Sequence, residues 1–326
     1  MVELIPAFVP AQLKVIWAHD SFVSIYNLEW LKLHSYDPVL VTNKSNQLER
    51  SLWKPDSITA VLPQVEFKTV MDTEKGVAEW TKKIHQFGFC LINNVPIDPK
   101  TTEKLVERIA YIRPTHYGGF WDFTADLAMH DTAYTNLYLA SHTDGTYWSD
   151  TPGLQLFHLL HHDGKGGETM LVDGFAAAKE LKERDPIAYE FLSTTKIPAH
   201  SAGEENVCIT PTMPQPVLTH HSVTGELVQV RWNNDDRSTM DHWQAPEDVE
   251  TFYKSIRLWK KILLENEIIY KLRPGTCLIF DNWRVLHGRQ AFDGSRRMCG
   301  AYINRDDYVS RLRLLNLGRE AVLKEL

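Results

Sequence analysis

The sequence is poor in cysteine and carries no excess of positive charge. Its 326 residues include four cysteines, which lie far apart and form no C-x-x-C pair. This spacing indicates neither a disulfide framework nor a thiolate zinc site, and it fits a reducing compartment. Lys and Arg number 35 against 42 acidic residues, a formal net charge of -7. Such a chain has no general attraction for nucleic acid or anionic lipid, so we expect a small-molecule substrate.

Long apolar runs are also absent. The chain offers no run of about 18 apolar residues, the length that a membrane-spanning helix needs. Its opening segment shows no cationic stretch followed by a long apolar run. We therefore expect no membrane partner and a cytoplasmic location, with the mitochondrion as the alternative because some transit peptides look ordinary.

The apolar pattern predicts a mainly β protein with helical insertions. Residues 1–64 mix short apolar alternations with polar turns, which predicts a small strand-rich lobe. From residue 141 onward, many short strands broken by Gly and Pro predict a jelly-roll core within a domain over residues 65–326. With 43% apolar residues, the chain is long enough for one large core and a smaller appendage.

Helical periodicity interrupts this pattern in four places. It predicts a helix in EKGVAEWTKKIHQFGF, where apolar residues recur at helical spacing. A second helix follows in IDPKTTEKLVERIAYI, where Asp98 is placed to cap and Pro99 suits the first turn. Two insertions are predicted, one over residues 174–194 with an interruption at Asp185 and Pro186, and one over residues 248–267.

The stretch ASHTDGTYW places a histidine and an aspartate two positions apart among residues that suit a strand. On one strand, His142 and Asp144 would point to the same face, because side chains alternate. The best candidate for a third metal ligand is His287, in FDNWRVLHGR. Two histidines and one carboxylate leave about three positions open on iron(II), as non-heme oxygenases require. The alternative is a chance surface pair, since H-x-D is a common tripeptide.

The strand GSRRMCGAYI predicts an anion site near this metal. Strand parity places Arg296 on one face with Met298 and Tyr302, so its guanidinium would point into the interior. A buried guanidinium needs an anion, and the far carboxylate of a keto-acid cosubstrate would pair with it. Thr169, in ETMLV, would add a hydrogen bond. A solvated strand and simple β-propensity are the alternatives for these two residues.

Aromatic residues are dense around the expected mouth of the metal site. They are Tyr117, Trp121, Tyr134 and Tyr302, with Tyr147 and Trp148 just beyond the metal pair. Ordinary core packing is the default for any one of them. Together they would form an aromatic box, which binds quaternary ammonium through cation–π attraction of roughly 0.5 to 2 kcal/mol per contact.

Several ordered motifs together resemble one family. HTDGTYW, GGETMLVDGF, RWNNDDR, FDNWRVLHGR and the strand around Arg296 are similar to those of the 2-oxoglutarate, iron(II)-dependent oxygenases of the taurine dioxygenase superfamily, in the branch of γ-butyrobetaine and trimethyllysine dioxygenases. The resemblance covers roughly Val65 to the C-terminus. It implies a double-stranded β-helix with helical insertions, and chemistry that uses Fe(II), 2-oxoglutarate and O2. It also suggests a homodimer and a role for ascorbate.

The resemblance implies a role for each candidate residue. His142, Asp144 and His287 match the iron ligands, and Arg296 with Thr169 matches the clamp on the 2-oxoglutarate tail. The residues that match the trimethylammonium cage are Tyr117, Trp121, Tyr134 and Tyr302. Asn233 and Asn234 match a polar pair near the substrate, without an indication of which one reaches it.

Asp131 indicates which of the two enzymes of this family branch the chain resembles more. It stands where the butyrobetaine enzymes of the family carry a neutral asparagine beside the substrate carboxylate. An aspartate would repel a substrate whose only other charge is a carboxylate, but it would pair with an α-ammonium. We therefore predict hydroxylation of N6-trimethyl-L-lysine at its β-carbon, the first step of carnitine biosynthesis. The alternative for Asp131 itself is a turn cap or a pair with a local arginine.

Two other functions remain open. The chain could act on γ-butyrobetaine, or it could be a non-catalytic methylammonium-binding module.

The N-terminal lobe departs from the pattern of the family. The family's N-terminal lobe often holds zinc, whereas here NLEWLKLHSYDP keeps His34 but has Ser35, and no cysteine precedes Cys90. Structural zinc needs about four ligands, so we expect none in this lobe.

Overall fold

The computed structural model describes residues 2–5, 11–40, 48–124 and 135–324. Asp131 and Tyr134, two of the predicted site residues, lie outside the described residues. The chain forms two compact units, one from the described parts of residues 1–48 and 313–326 and the other from residues 49–312. Within the described ranges, none of the helices combines the length and the apolar character that crossing a bilayer requires.

The smaller unit contains an antiparallel sheet and short helices. Its strands are β1 (Val2–Ile5), β2 (Gln12–Ile16) and β3 (Val23–Asn27), in the order β1-β2-β3. Helix α1 (Leu28–Leu33) begins where the side chain of Asn27 accepts hydrogen bonds from two backbone N–H groups. Near the C-terminus, α10 (Arg319–Leu323) belongs to this unit, whereas α9 (Arg305–Leu317) begins within residues 49–312 and ends beyond them.

The larger unit contains most of the strands. They are β4 (Gln64–Glu66), β5 (Phe89–Asn93), β6 (Trp121–Thr124), β7 (Leu139–His142), β8 (Leu154–His162), β9 (Thr169–Asp173), β10 (Leu218–His220), β11 (Leu227–Val230), β12 (Ile268–Tyr270), β13 (Cys277–Asp281), β14 (Val285–Arg289) and β15 (Arg296–Ile303). Its helices are α2 (Pro55–Ile58), α3 (Phe67–Asp72), α4 (Glu74–Phe87), α5 (Pro99–Glu107), α6 (Gly174–Arg184), α7 (Pro186–Thr194) and α8 (Glu247–Glu265).

These strands form two principal sheets. One has the order β4-β5-β13-β8-β15-β6 and the other the order β12-β9-β14-β7, with β10 and β11 as a separate pair. Neighbouring strands are antiparallel except β4 and β5. Such antiparallel pairing between strands far apart in sequence is consistent with the predicted jelly-roll core.

The first two predicted helices are confirmed. Thr73 caps the start of α4, where its side chain accepts from the backbone N–H of Gly76, and Gly88, with φ +81°, caps the end of the helix. A positive φ suits glycine because that residue has no Cβ to clash. Asp98 caps the start of α5 with a carboxylate that accepts from the N–H of Thr101, but the helix ends at Glu107, earlier than its apolar pattern indicates.

The helical insertions also agree with the prediction. Residues 174–194 form α6 and α7, which are separated at Asp185, and the carboxylate of Asp185 caps α7. Pro186 fits the first turn of α7 because that position needs no N–H donor. The helices α6, α7 and α8 share a buried cluster with Val172 of β9 and Leu286 of β14. They therefore pack against the four-stranded sheet that carries part of the site.

Residues 49–64 pack with the larger unit. Trp53 and Ile58 are buried in a hydrophobic cluster that includes Phe89 and Leu278. Judged by its contacts, the larger unit therefore begins near residue 49. The division between residues 64 and 65 stays a prediction about domain organisation.

Candidate metal centre and ligand cavity

Two histidines that are distant in sequence face each other on neighbouring strands. In the antiparallel pair of β7 and β14, the Cα of His287 lies opposite the Cα of His142. Side chains at directly opposed positions are close in an antiparallel sheet. The centroids of the two imidazole rings are accordingly 4.4 Å apart.

Asp144 completes the cluster from a loop. Strand β7 ends at His142, so the prediction that both residues lie on one strand is wrong. The chain leaves the sheet because the backbone N–H of Thr143 donates to the carbonyl of Trp232. Asp144 Oδ1 nevertheless lies 3.2 Å from Nε2 of His142 and 3.6 Å from Nε2 of His287. Each residue offers a ligand atom within 4.8 Å of the others.

The hydrogen bonds and charges around these three residues suit a metal ion. His142 Nδ1 lies 2.7 Å from the carbonyl oxygen of Ala140 and donates to it, which directs Nε2 toward Asp144. Burial lowers the pKa of His142, but the hydrogen bond and the charge of Asp144 outweigh it and raise this pKa, so a metal ion at Nε2 competes with a proton. Burial would raise the pKa of Asp144, but the His287 and His142 rings bring it well below its usual range. Burial, and then the charge of His142, lowers the pKa of His287 to about 3. A carboxylate and a neutral imidazole are the forms that bind metals.

Tyr302 holds the other oxygen of this carboxylate. Its hydroxyl donates to Asp144 Oδ2 over 2.6 Å. Burial, reinforced by the charge of Asp144, keeps the pKa of Tyr302 well above its usual value, so the hydroxyl retains its proton. Oδ1 is then the carboxylate oxygen that faces the two histidines.

A cavity of about 350 Å³ adjoins the cluster. It is lined by most of the predicted site residues, namely His142, Asp144, His287, Thr169, Arg296, Tyr117, Trp121, Tyr302 and Asn233. Asn234 is turned elsewhere, because its side-chain oxygen accepts hydrogen bonds from the guanidinium of Arg237. A concave site that combines apolar walls with convergent polar groups is typical of small-molecule binding.

Arg296 has the position that strand parity predicts. Its residue exposure is 6%, and its Nε has no hydrogen-bond partner among the residues that the structure describes. Burial, and then the charge of Arg289, lowers the pKa of Arg296 to about 9. The next residue, Arg297, points the other way and donates to Asp122 over 2.8 Å. A buried cation of this kind favours an anionic ligand.

Arg289 is a cavity residue that was not predicted from the sequence. It lines the cavity, is 7% exposed, and donates to the carbonyl oxygens of Thr135 and Leu137 over 2.6 and 2.9 Å. Burial lowers its pKa to about 10. The available signal was parity, because Arg289 is two residues after His287 on one strand and therefore shares its face.

Aromatic side chains form one wall of the cavity. The ring centroids of Trp121 and Tyr302 are 5.2 Å apart, and the hydroxyls of Tyr117 and Tyr147 are 3.0 Å apart. Trp148 packs against Tyr302 with centroids 5.9 Å apart. Three of the four predicted cage residues thus line one cavity, and the fourth, Tyr134, lies outside the described residues.

The fold and the site together define a class of protein. Two histidines and one carboxylate beside an open cavity, built on antiparallel sheets, are the arrangement of non-heme iron dioxygenases. Within that class, the chain belongs to the TauD, TfdA family of taurine catabolism dioxygenases, whose family model matches residues 51–302.

Several curated proteins are similar over most of the chain. The trimethyllysine dioxygenase of Meyerozyma guilliermondii is 56% identical over 326 residues, which cover 96% of this chain and 82% of that protein. The trimethyllysine dioxygenase of Neurospora crassa is 47% identical, and the match covers 84% of this chain and 65% of that protein. The mitochondrial trimethyllysine dioxygenase of Bos taurus is 41% identical over 91% of this chain and 71% of its own length. The human gamma-butyrobetaine dioxygenase is 28% identical over 91% of this chain and 78% of its own length.

Solved structures share the fold. A taurine dioxygenase from Burkholderia xenovorans matches with a TM-score of 0.56 and 14% identity, over 79% of this chain and 90% of that chain. An asparagine oxygenase in complex with Fe(II), 2S,3S-3-hydroxyasparagine and succinate matches with a TM-score of 0.55 and 12% identity, over 74% of this chain and 93% of that chain. At these identities the likeness concerns the fold alone.

Proposed function

We propose that this chain is an iron(II)- and 2-oxoglutarate-dependent dioxygenase that hydroxylates N6-trimethyl-L-lysine at its β-carbon, the first step of carnitine biosynthesis. The observation that carries the proposal is the cluster of His142, Asp144 and His287 beside an aromatic cavity that also contains a buried arginine. The names of the relatives with 41 to 56% identity support the same substrate.

His142, Asp144 and His287 would hold the iron. The donor set fits this ion, because two imidazoles and a carboxylate leave about three positions for other ligands. When bound, iron(II) with 2-oxoglutarate supplies the activation of O2 that hydroxylation requires. The hydrogen bond from Tyr302 orients Asp144 so that Oδ1 remains directed at the histidines.

Arg296 and Thr169 would bind the far carboxylate of 2-oxoglutarate. Both residues are buried and line the cavity, so the guanidinium of Arg296 is a desolvated cation that a carboxylate would pair with. Pairing between guanidinium and carboxylate is bidentate and directional, so it orients the cosubstrate as well as binding it. The arginine thereby directs the keto-acid end toward the metal cluster.

The aromatic wall would bind the trimethylammonium group. Tyr117, Trp121 and Tyr302, with Tyr134 from outside the described residues, would form the cage, and each contact is worth about 0.5 to 2 kcal/mol. Asp131 would pair with the α-ammonium at the other end of the substrate, and Asn233 would add a polar contact. Gripping both ends holds the β-carbon near the metal, which is how positioning contributes to catalysis.

The deciding experiment compares two substrates on the loaded enzyme. The protein is loaded with iron(II) and 2-oxoglutarate without oxygen, then exposed to O2 with either trimethyllysine or γ-butyrobetaine. We expect succinate and a product heavier by one oxygen atom with trimethyllysine. Turnover of γ-butyrobetaine instead would assign the other branch, and a protein that binds trimethyllysine but neither iron nor 2-oxoglutarate would be a binding module.

Location and assembly complete the proposal. The cytoplasm is the location predicted from the sequence, and the name of the bovine relative supports the mitochondrial alternative. We further propose a homodimer, a stimulating effect of ascorbate and an N-terminal lobe without zinc. Cell fractionation, light scattering, assays with and without ascorbate and metal analysis of the purified protein test these four points in turn.

A further inference from the structure

Trp148 is a half-buried indole on the loop that follows Asp144, and it has no assigned role. It is not one of the described residues that line the cavity. Its ring nevertheless packs edge to face against two rings that do line it, with centroids 5.9 Å from Tyr302 and 6.4 Å from Tyr117. Aromatic pairs in this arrangement are favourable. Trp148 therefore stands behind two of the proposed cage residues.

The backbone beneath the indole leaves room for it because residue 145 is glycine. A Cβ on Gly145 would lie 2.2 Å from Cε3 of Trp148, closer than real Cβ contacts come. Gly145 also has φ +72°, a conformation in which other residues are strained. The indole thus lies directly on the residue next to Asp144.

Two arginines hold Trp148 in place. The guanidinium carbon of Arg113 lies 5.5 Å from the centroid of the indole, and Arg113 is itself fixed by the carboxylate of Asp150, which accepts over 3.0 Å. A guanidinium over an indole is attracted by the ring. Arg231, which is 8% exposed, donates to the backbone carbonyl of Trp148 over 3.0 Å. Both the ring and the backbone of Trp148 are therefore anchored.

Anchored rings matter in an aromatic cage because cation–π attraction depends on geometry. It acts when the cation lies over the face of a ring within about 6 Å of its centroid, so a ring that turns away loses it. A ring that is fixed before the ligand arrives also needs no ordering on binding. Tyr117 precedes β6 and Tyr302 lies on β15, and Trp148 contacts both.

We infer that Trp148 is a positioning residue that fixes the faces of Tyr117 and Tyr302 for the trimethylammonium group of the substrate and joins this cage to the loop of Asp144. The inference rests on the proposed function and deepens it, since it names a residue on which recognition of the quaternary ammonium depends without contact. One loop then carries both the metal carboxylate and the support of the cage. The distance between the ammonium and the metal is set by that loop.

The test compares a charged ligand with its neutral isostere. The intact chain is loaded with iron(II) and 2-oxoglutarate under argon, and dissociation constants are measured calorimetrically for trimethyllysine and for its tert-butyl analogue. In the analogue a carbon atom replaces the quaternary nitrogen, so the shape is kept and the charge is lost. Damage to the cavity weakens the binding of both compounds, whereas misplaced ring faces weaken that of the charged compound more.

Trp148→Leu removes the indole, and Trp243→Leu is the matched control. Trp243 is also half-buried and packs against an aromatic ring, that of Phe252, with centroids 5.5 Å apart, but it is not one of the described residues that line the cavity. The preference for trimethyllysine over the neutral compound should fall about tenfold in Trp148→Leu and stay within about twofold in Trp243→Leu. Trp148→Phe keeps a smaller ring, so its preference should fall only about threefold.

An unchanged preference in Trp148→Leu, or an equal fall in Trp243→Leu, would overturn the inference. If Trp148→Leu does not fold, Trp148→Phe decides, because an unchanged preference in that variant is equally incompatible with the inference. A wild type that binds the two compounds equally contradicts the proposed cage itself, whereas a preference that survives the loss of the indole contradicts the role of Trp148 alone.

Discussion

The side chain of Asn282 hydrogen-bonds both backbone groups of Asp144. Its Oδ1 accepts from the N–H of Asp144 over 2.8 Å, and its Nδ2 donates to the carbonyl of Asp144 over 3.0 Å. The same Nδ2 donates to the carbonyl of Pro152 over 3.2 Å, and Asn282 is 1% exposed. The loop that carries the candidate metal carboxylate is thus fixed by an amide on the segment that precedes β14.

Asn282→Ala should therefore impair metal binding. The change leaves the N–H and C=O of Asp144 buried and unpaired, and we expect it to cost about 2 to 4 kcal/mol of unfolding free energy and about tenfold in iron(II) affinity. Urea unfolding and anaerobic metal titration measure the two effects. Asn266→Ala is the control, because Asn266 makes comparable buried bonds to Ile262 of α8 and Glu180 of α6, and its loss should affect stability only. Equal loss of metal affinity in both variants would assign Asn282 a purely structural role.

His142→Ala should abolish turnover by weakening iron binding at least about 100-fold, because two ligands cannot replace the set of three. The measurement is metal content after dialysis, together with succinate formation in excess iron. His161→Ala is the control, since His161 is exposed and pairs with Asp163 at the surface. Full activity of His142→Ala in iron-replete buffer contradicts the assignment of the metal centre.

Arg296→Ala should raise the dissociation constant for 2-oxoglutarate about 100-fold, because a buried carboxylate would lose a charged partner. The constant for trimethyllysine should change much less. Arg297→Ala is the neighbouring control, since Arg297 is exposed and its pair with Asp122 is worth little in water. If Arg297→Ala weakens 2-oxoglutarate as much as Arg296→Ala does, the parity argument fails.

Local patterns were sufficient for several parts of this site. Alternation along β15 placed Arg296 inside and Arg297 outside, because the direction of a strand side chain depends only on its position in the chain. The interruption between α6 and α7 at Asp185 could be predicted in the same way, because capping and proline effects act within one helical turn. The pairing of His142 with His287 followed from ligand chemistry rather than from any local signal.

Other parts depend on contacts between distant segments. The position of Asp144 beyond the end of β7 is set by Asn282 and by Trp232, and no pattern near Asp144 reports either partner. Asn233 lines the cavity, whereas the side-chain oxygen of Asn234 binds Arg237, a partner that the adjacent sequence does not indicate.

Asp131→Asn should separate the two substrates of the branch. The change removes the negative charge that would pair with the α-ammonium, so we expect trimethyllysine to bind about tenfold more weakly and 2-oxoglutarate to bind as before. Steady-state assays that vary each compound in turn measure both effects. Asp150→Asn is a surface control, because Asp150 pairs with Arg113 and its side chain is 71% exposed. Equal effects of Asp131→Asn on the two compounds would make Asp131 structural.

His158 should make the stability of the protein depend on pH between 7 and 5. Its Nδ1 lies 2.7 Å from Thr102 Oγ1, and because that hydroxyl donates to the carbonyl of Asp98, Nδ1 must be the donor in this pair.

The remaining ring nitrogen, Nε2 of His158, has no partner among the described residues, and burial lowers the pKa of this histidine to about 4. A histidine in the unfolded chain has a pKa near 6.5. Between about pH 6.5 and pH 4, His158 is therefore protonated in the unfolded chain but neutral in the folded protein. The stability from this residue is present above about pH 6.5 and is lost as the pH falls toward 4, by about 2 kcal/mol between pH 7 and pH 5. Urea unfolding of the metal-free protein at the two pH values measures the loss. The variant His158→Asn retains a donor for Thr102 but cannot titrate. The unfolding free energy of this variant should fall about 2 kcal/mol less than that of the wild type between pH 7 and pH 5. Equal losses in the two proteins would assign the pH dependence to other groups.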